Sequence, residues 1–334
     1  MSNVAGQIYF IAEEHSITAP PVRVKIGLVR ESKSGRDSQD RLLDHQTGNP
    51  RKLKLLKVVE TARVSRVENS LHQRYAGQRG IGEWFELSDS ELQAAIAECQ
   101  DLASQQALHL KVIREAEQID HAPRSSTIAT ASEEAREWHR RFLAARAAES
   151  LLNKLTTSYR EKVKSAHERG VDVGPYARIV RPRLSFDSWL SKHHNEVFEA
   201  CKQISTTTPF VPKSVTTTPD LESGVAQLVS QFQEQLNEWS LESGLDSLYK
   251  LYLSLSRPRS VWGEEAELAK DYLKVLCGQN RAIEGICAWT TSSSKRFSSK
   301  IAQEKHPQLF DEYAALAVYG APQFTLRGGG DGEG

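Results

Sequence analysis

The chain has 334 residues, of which 39% are hydrophobic and 26% are charged, and its 43 basic side chains balance its 43 acidic ones. This composition is ordinary for a globular protein of two or three domains. No run of about 18 apolar residues occurs, so we expect no membrane span, and the N-terminus lacks the pattern of a secretory signal. The four cysteines form no C-x-x-C pair, which argues against a disulfide framework or a zinc site and favours a reducing, cytoplasmic location.

The first two predicted elements are strands. Residues 7–12 and 22–29 are apolar and rich in β-forming side chains. The polar loop between them contains two adjacent prolines. Two neighbouring segments joined by such a loop predict a pair of antiparallel strands.

A short helix is predicted next. Asp37 or Ser38 can cap its start, and it runs for about ten residues with Leu42 and Leu43 facing inward. The turn at residues 47–50 ends it, because glycine suits a left-handed cap and proline disfavours helix in the residue before it.

The remainder of the N-terminal domain predicts a strand, a helix, a short extended segment and a further helix. Residues 53–60 predict the strand, and Thr61 is the expected cap of the helix after it. The buried stripe of that helix consists of Val64, Val67, Leu71 and Tyr75. Residues 82–87 then predict a short strand or a turn, and Ser88 with Glu91 forms a capping box.

Beyond residue 105 the sequence predicts mainly helices. Residues 133–169 are charged and rich in alanine, which indicates a long exposed helix that could bridge or oligomerise. Two copies of T-T-T-P occur between residues 203 and 220 and indicate a flexible linker. The predicted divisions are an α+β domain at 1–105, a linker and long helical region at 106–202, the Thr/Pro linker at 203–220, a helical domain at 221–327 and a flexible tail at 328–334.

The segment from Arg23 to Arg79 is strongly basic, with 14 Lys and Arg residues against 6 Asp and Glu. A local positive field of this kind attracts polyanions whatever the charge of the whole chain. A basic surface without a binding function accounts for the charge equally well. Charge alone therefore does not decide whether this segment binds nucleic acid.

Four motifs in the N-terminal domain, taken together and in this order, resemble the GIY-YIG nuclease superfamily. They are Q-I-Y at 7–9, K-I-G at 25–27, R-L-L-D-H at 41–45 and V-E-N-S-L-H at 67–72. The K-I-G form, with Q-T-G-N-P and G-E-W-F, resembles the phage-type branch. The resemblance covers about residues 6–90. It implies a small three-stranded antiparallel sheet flanked by helices, and hydrolysis of nucleic-acid phosphodiesters with one divalent metal, Mg²⁺ or Mn²⁺.

The resemblance also implies roles for individual residues. Tyr9 takes the place of the first-motif tyrosine, which orients or deprotonates the attacking water. Arg41 corresponds to the family arginine, and His45 to a histidine often found one turn after it. Glu68 corresponds to the metal-binding glutamate.

The chemistry of phosphodiester cleavage favours these residue types for independent reasons. A guanidinium such as that of Arg41 matches the charge that gathers on the phosphate oxygens. A hard carboxylate such as Glu68 suits Mg²⁺, which takes few protein ligands. His45 can shuttle a proton or bond a phosphate oxygen. Because Arg41 and His45 are four residues apart, they lie on one helical face.

The sequence departs from the superfamily at its second tyrosine, where Lys25 stands. A lysine could bind phosphate or, with a lowered pKa, act as a base. It could equally mark a branch that binds without cutting.

Each candidate also has a structural interpretation. Tyr9 could be a core residue, Arg41 and His45 a solvated helical face, and Glu68 a surface pair with His72 or Arg66. Trp84 and Phe85 are expected to be structural.

Basic residues outside the motifs are candidates for nucleic-acid contact. Arg23 is one of them. Lys295, Arg296 and Lys300 belong to a hydroxyl-rich segment that could contact phosphates or form a polar turn between helices.

Three hypotheses follow from these observations. The first is a metal-dependent endonuclease, with DNA favoured over RNA, whose helical part selects a target or partner, in phage defence or a mobile element. The second is a nucleic-acid-binding module with a degenerate site. The third is a scaffold that forms homo-oligomers through its helical region.

Overall fold

The computed structural model describes residues 4–18, 20–31, 35–47, 49–80, 83–214, 223–316 and 318–326. The chain divides into two compact units, each described below by itself. The first contains Met1–Lys162 and Pro212–Ala288, and the second contains Val163–Val211 and Trp289–Arg327. The domain divisions expected from the sequence stay predictions.

The bounds of the elements are as follows. The strands are β1 (Ala5–Glu13), β2 (Val22–Arg30), β3 (Leu53–Ala62), β4 (Trp84–Leu87), β5 (Ile128–Ala129), β6 (Ala177–Val180), β7 (Lys202–Thr207), β8 (Phe210–Pro212), β9 (Ala282–Ile283), β10 (Cys287–Trp289), β11 (Ser292–Phe297) and β12 (Gln323–Leu326). The helices are α1 (Ser38–Thr47), α2 (Val64–Arg74), α3 (Asp89–Gln105), α4 (Ala107–His121), α5 (Glu133–Glu168), α6 (Phe186–His193), α7 (Asn195–Ala200), α8 (Ser223–Glu238), α9 (Leu245–Cys277), α10 (Ser299–Lys305) and α11 (Pro307–Ala315).

The N-terminal part of the first unit is an antiparallel sheet with the strand order β3-β1-β2-β4. The predicted fold class is confirmed: a small antiparallel sheet flanked by helices, followed by a mainly helical region. The sheet has a fourth strand, β4, in the segment for which the sequence left strand and turn open. The capping box at the start of α3 is also present, as predicted for Ser88 and Glu91.

Alternation along the strands gives the sheet two buried faces. One face presents Ile8, Phe10 and Ile26, which pack with Val67 and Leu71 of α2. The opposite face presents Tyr9 and Ile11, which pack with Leu42 of α1, with Leu53 and with Trp84. Helix α1 therefore lies over the face that carries the candidate tyrosine.

Helix α1 begins as the sequence predicts. The Asp37 carboxylate accepts hydrogen bonds from the backbone N–H groups of Gln39 and Asp40, at 2.8 and 3.1 Å. Leu42 packs inward, but the prediction for Leu43 is wrong: its side chain is 59% exposed. Successive side chains on a helix point about 100° apart, so two adjacent leucines cannot both face a narrow contact. The Gly48 of the terminating turn lies outside the described residues.

The predicted cap of α2 is wrong. Thr61 remains within β3, and the helix starts after Arg63, which has a left-handed backbone (φ 53°) and provides no side-chain cap. The N–H of Ser65 donates instead to the carboxylate of Glu264 in α9, at 2.9 Å. The first backbone N–H groups of a helix have no partner within the helix, and an acceptor from a distant part of the chain can satisfy them where no local cap does.

Helix α5 has the predicted length, but the prediction that it is exposed is wrong. It buries one face at helical spacing, formed by Ala135, Phe142, Ala145, Ala148, Leu152, Leu155 and Tyr159. Tyr159 stacks on Tyr252 of α9 with ring centroids 4.5 Å apart, and Trp138 stacks on Tyr272 at 3.7 Å. The apolar stripe of this helix is therefore used within the chain. The scaffold hypothesis stays a prediction.

The second unit has an aromatic core and two separate strand pairs. Phe186 and Trp189 of α6 pack against Tyr313 of α11. The antiparallel pairs are β6 with β12 and β7 with β11. The first part of the predicted Thr/Pro linker thus forms a paired strand, because β-branched threonines fit an extended backbone, whereas residues 215–220 lie outside the described residues.

No helix in the described parts of the chain is long and apolar enough to cross a membrane.

Candidate functional site

Tyr9 lies in the middle of β1, opposite Gly27 of β2. Its ring covers the backbone of that glycine so closely that a Cβ added at Gly27 would lie 2.5 Å from the phenol Cζ and hydroxyl oxygen. The glycine of the K-I-G motif is therefore required by the position of Tyr9. The tyrosine side chain is 3% exposed, so it is both a packed residue and a candidate for chemistry.

The Tyr9 hydroxyl and His45 Nε2 lie 3.3 Å apart and form a hydrogen bond. Burial raises the pKa of Tyr9 above its ordinary value, and the negative charge of Glu83 raises it further. Burial lowers the pKa of His45 to about 4, and the positive charges of Lys25 and Arg41 act in the same direction. At neutral pH the pair consequently consists of a neutral phenol and a neutral imidazole, which can accept a proton.

Arg41 lies one helical turn before His45. Its Nη1 is 3.6 Å from a carboxylate oxygen of Asp44. Its Nε is buried and has no hydrogen-bond partner in the described structure. Since a buried donor without an acceptor is costly, this nitrogen is suited to an anionic ligand.

Lys25 is buried and forms an ion pair with Glu83, with Nζ 2.9 Å from Oε2. The structure thus brings Lys25 into the cluster, where its charge acts on His45. Glu83 and Asp44 were not predicted as members. The G-E-W-F and R-L-L-D-H motifs contain them, so the signal for both residues was present in the sequence.

Glu68 lies on the second turn of α2 and is partly buried. Its negative charge adds to the raised pKa of Tyr9. The neighbouring motif histidine, His72, donates instead to the backbone carbonyl of Ile26 at 2.8 Å and so fastens α2 to the sheet.

The donor set fits a metal that needs few protein ligands. Among the described residues, no group of three or more His, Cys, Asp and Glu is arranged to hold a metal ion. A single hard carboxylate such as Glu68 is enough for Mg²⁺, which usually keeps several waters and takes further oxygens from substrate phosphates. The carboxylate of Glu68 is of the type that suits such an ion, and the described residues supply no closed structural metal centre.

Two glutamines hold α1 on the sheet. Gln7 Oε1 accepts from the Ser38 hydroxyl at 2.6 Å, at the start of the helix. At the other end, Gln46 Oε1 accepts from the Leu53 N–H at 2.8 Å, and its amide donates to the carbonyl of Arg51 at 3.0 Å. These hydrogen bonds explain the glutamine of Q-T-G-N-P, and no local pattern in the sequence indicated them.

The structure therefore brings Tyr9, Lys25, Arg41 and His45 together, whereas Glu68 belongs to α2, which packs on the opposite face of the sheet. Their catalytic and metal-binding roles stay predictions.

The remaining candidates have other surroundings, each described within its own unit. Arg23 forms an ion pair with Glu13 at 3.3 Å and lies over the Trp84 ring. Lys295, Arg296 and Lys300 belong to the second unit, on β11 and α10.

Residues 6–100 match the T5orf172 domain family. This domain is found in proteins associated with GIY-YIG/HNH-like nucleases, so the match supports a nucleic-acid-related role for the N-terminal part of the chain. Comparisons with curated proteins and with solved structures give no match.

Proposed function

We propose that the N-terminal domain is a divalent-metal-dependent endonuclease of GIY-YIG type that hydrolyses nucleic-acid phosphodiesters, with DNA as the favoured substrate. The observation that carries the proposal is the hydrogen-bonded, neutral Tyr9–His45 pair beside Arg41, whose buried Nε has no acceptor in the described structure. A role in phage defence or a mobile element is part of the proposal and rests on the resemblance alone.

Each side chain then has a task. Arg41 donates to a non-bridging phosphate oxygen and stabilises the charge that grows there during attack. Neutral His45 accepts a proton from the attacking water while the water oxygen forms its bond to phosphorus, and the departing ester oxygen takes a proton from solvent. Tyr9, kept neutral by burial, orients the water and His45. Glu68 would hold Mg²⁺ or Mn²⁺, which when bound supplies positive charge to the phosphate.

Cleavage assays of plasmid, linear duplex, single-stranded DNA and RNA with Mg²⁺ or Mn²⁺ test the proposal. We expect wild type to cleave, and Glu68→Ala and Arg41→Ala to reduce cleavage by about 100-fold or more. Glu115→Ala and Arg160→Ala serve as matched controls, because both residues are exposed and remote in sequence from the motifs. Equal cleavage by wild type and Glu68→Ala would overturn the site assignment.

A second candidate function is nucleic-acid binding without cleavage. The buried ion pair between Lys25 and Glu83 favours it, because the position of the second family tyrosine is occupied by a lysine engaged with a carboxylate. This alternative predicts salt-dependent binding that needs Arg41 but not Glu68, and no products with any metal.

A further inference from the structure

Strands β7 and β11 form a two-stranded antiparallel ribbon. The register runs from Ser292 opposite Thr207 to Phe297 opposite Lys202, and no third strand among the described residues pairs with either one. Most of its side chains are exposed on both faces, and Ile204 is 72% exposed. This arrangement replaces the polar turn between helices that the sequence allowed.

The ribbon is anchored at both ends. At one end the Phe297 ring stacks on Phe198 with centroids 4.9 Å apart, and the Ser298 N–H donates to the Cys201 carbonyl at 3.1 Å. At the other end the Thr290 N–H donates to the Pro209 carbonyl at 3.0 Å. The strands between these anchors are consequently held in shape while their side chains face solvent.

The chemistry of the ribbon matches a polyanion. Neither strand contains an acidic residue. Lys202 is neutralised by Glu199 at 2.5 Å, whereas Lys295 and Arg296 have no ion-pair partner in the described structure. Hydroxyl side chains line the rest of it, namely Ser205, Thr206, Thr207, Ser292, Ser293 and Ser294.

We propose that the β7–β11 ribbon is a nucleic-acid contact surface that docks on a duplex. Lys295 and Arg296 would contact phosphates, and the hydroxyls would donate to phosphate or base-edge oxygens. A two-stranded ribbon has the width that the major groove admits, and exposed Ile204, directly opposite Lys295, offers an apolar contact to thymine methyl groups. The proposal deepens the proposed function and rests on it only for the identity of the substrate.

A protein strand added to the ribbon edge is the competing occupant. A lysine and an arginine near the middle of a strand oppose edge-to-edge pairing with another chain. The same two positive charges favour binding to nucleic-acid phosphates. They therefore favour a duplex over an added protein strand as the partner of the ribbon.

The test is binding of a fluorescent DNA duplex by the full chain, without divalent metal, over a range of salt concentrations. The variant is Lys295→Gln/Arg296→Gln, which removes two charges and keeps polar side chains. The matched control is Lys192→Gln/Arg169→Gln, which removes two exposed charges elsewhere in the second unit. Circular dichroism and thermal unfolding of both variants establish that they remain folded.

We expect the ribbon variant to bind more weakly and the slope of log K against log salt to become less steep by about 2, one for each phosphate that the variant no longer neutralises. The control should keep the wild-type slope. Identical slopes for wild type and the ribbon variant would overturn the proposal and would favour a protein partner for the ribbon. Binding that is weakened equally in the ribbon variant and the control variant would also overturn it.

Cleavage separates this proposal from the nuclease proposal. If the ribbon docks substrate, its variant should need more DNA for half-maximal cleavage and reach the wild-type rate at saturation. If wild type never cleaves, the salt-dependent binding still decides the role of the ribbon.

Discussion

The start of the helix that carries Glu68 depends on a residue about two hundred positions away. Glu264 is 4% exposed, and its carboxylate accepts from the Ser65 N–H at 2.9 and 3.0 Å and from Arg30 Nη2 at 3.0 Å. Arg30 also bonds the Ser65 hydroxyl. The substitution Glu264→Ala removes both the cap and the acceptor for Arg30.

The expected cost follows from these hydrogen bonds. Loss of a helix N-terminal acceptor costs about 1 kcal/mol. A hydrogen bond to a charged group contributes about 1.5–3 kcal/mol, but Arg30 is 34% exposed and can turn to water, which places its share at the low end. We expect Glu264→Ala to lower the free energy of unfolding by about 2–3 kcal/mol.

The variant Glu264→Gln should be destabilised much less. Burial raises the pKa of Glu264 above its ordinary value of 4.5, against the opposing effects of Arg30 and Ser65. The folded protein therefore holds this proton more tightly than the unfolded chain does, and stability falls as pH rises from about 4.5 through the raised folded value. A neutral glutamine keeps an acceptor for the Ser65 N–H and avoids the cost of burying a charge. The Glu264→Gln variant should therefore lack this pH dependence of stability.

Urea unfolding of the full chain measures both variants, and hydrogen exchange reports the amides at the start of α2. Exchange there should accelerate in Glu264→Ala. Glu238→Ala, an exposed change on α8, is the control and should alter stability by less than about 0.5 kcal/mol. The reasoning is refuted if Glu264→Ala behaves like this control, or if Glu264→Gln costs as much as Glu264→Ala.

Two further predictions concern the candidate site itself. Gly27→Ala should push the added methyl group into the Tyr9 ring and lower the free energy of unfolding by about 1–3 kcal/mol, measured by urea unfolding. Gly77→Ala should be tolerated, because a Cβ at Gly77 meets nothing within 4 Å. Similar urea midpoints for the two variants would contradict the close approach of Tyr9 to Gly27. The pKa of His45 is depressed to about 4 in the folded protein, so as pH falls the unfolded chain binds a proton at His45 before the folded protein does. The stability that neutral His45 contributes is therefore complete above about pH 6.5 and is lost as pH falls towards 4. Unfolding of His45→Gln across that range should show a shallower loss than wild type, and parallel curves would disprove a depressed pKa.

Local patterns in the sequence were enough to predict the N-terminal strands, the Asp37 cap of α1 and the capping box of α3. These features depend on side chains within a few positions of one another, where periodicity and capping preference act directly. The motif order also indicated Tyr9, Arg41 and His45, because Arg41 and His45 share one helical face whatever the rest of the fold does.

The features that only the tertiary structure decided all join distant segments. The N-terminal cap of α2 comes from Glu264, the buried face of α5 is matched by tyrosines of α9, and β7 finds its partner about ninety residues further along. The neutral state of the Tyr9–His45 pair likewise depends on burial and on charges from Lys25, Arg41 and Glu83, which reach it from different elements. Desolvation and long-range pairing arise only when distant segments pack together. Local sequence patterns therefore cannot predict them.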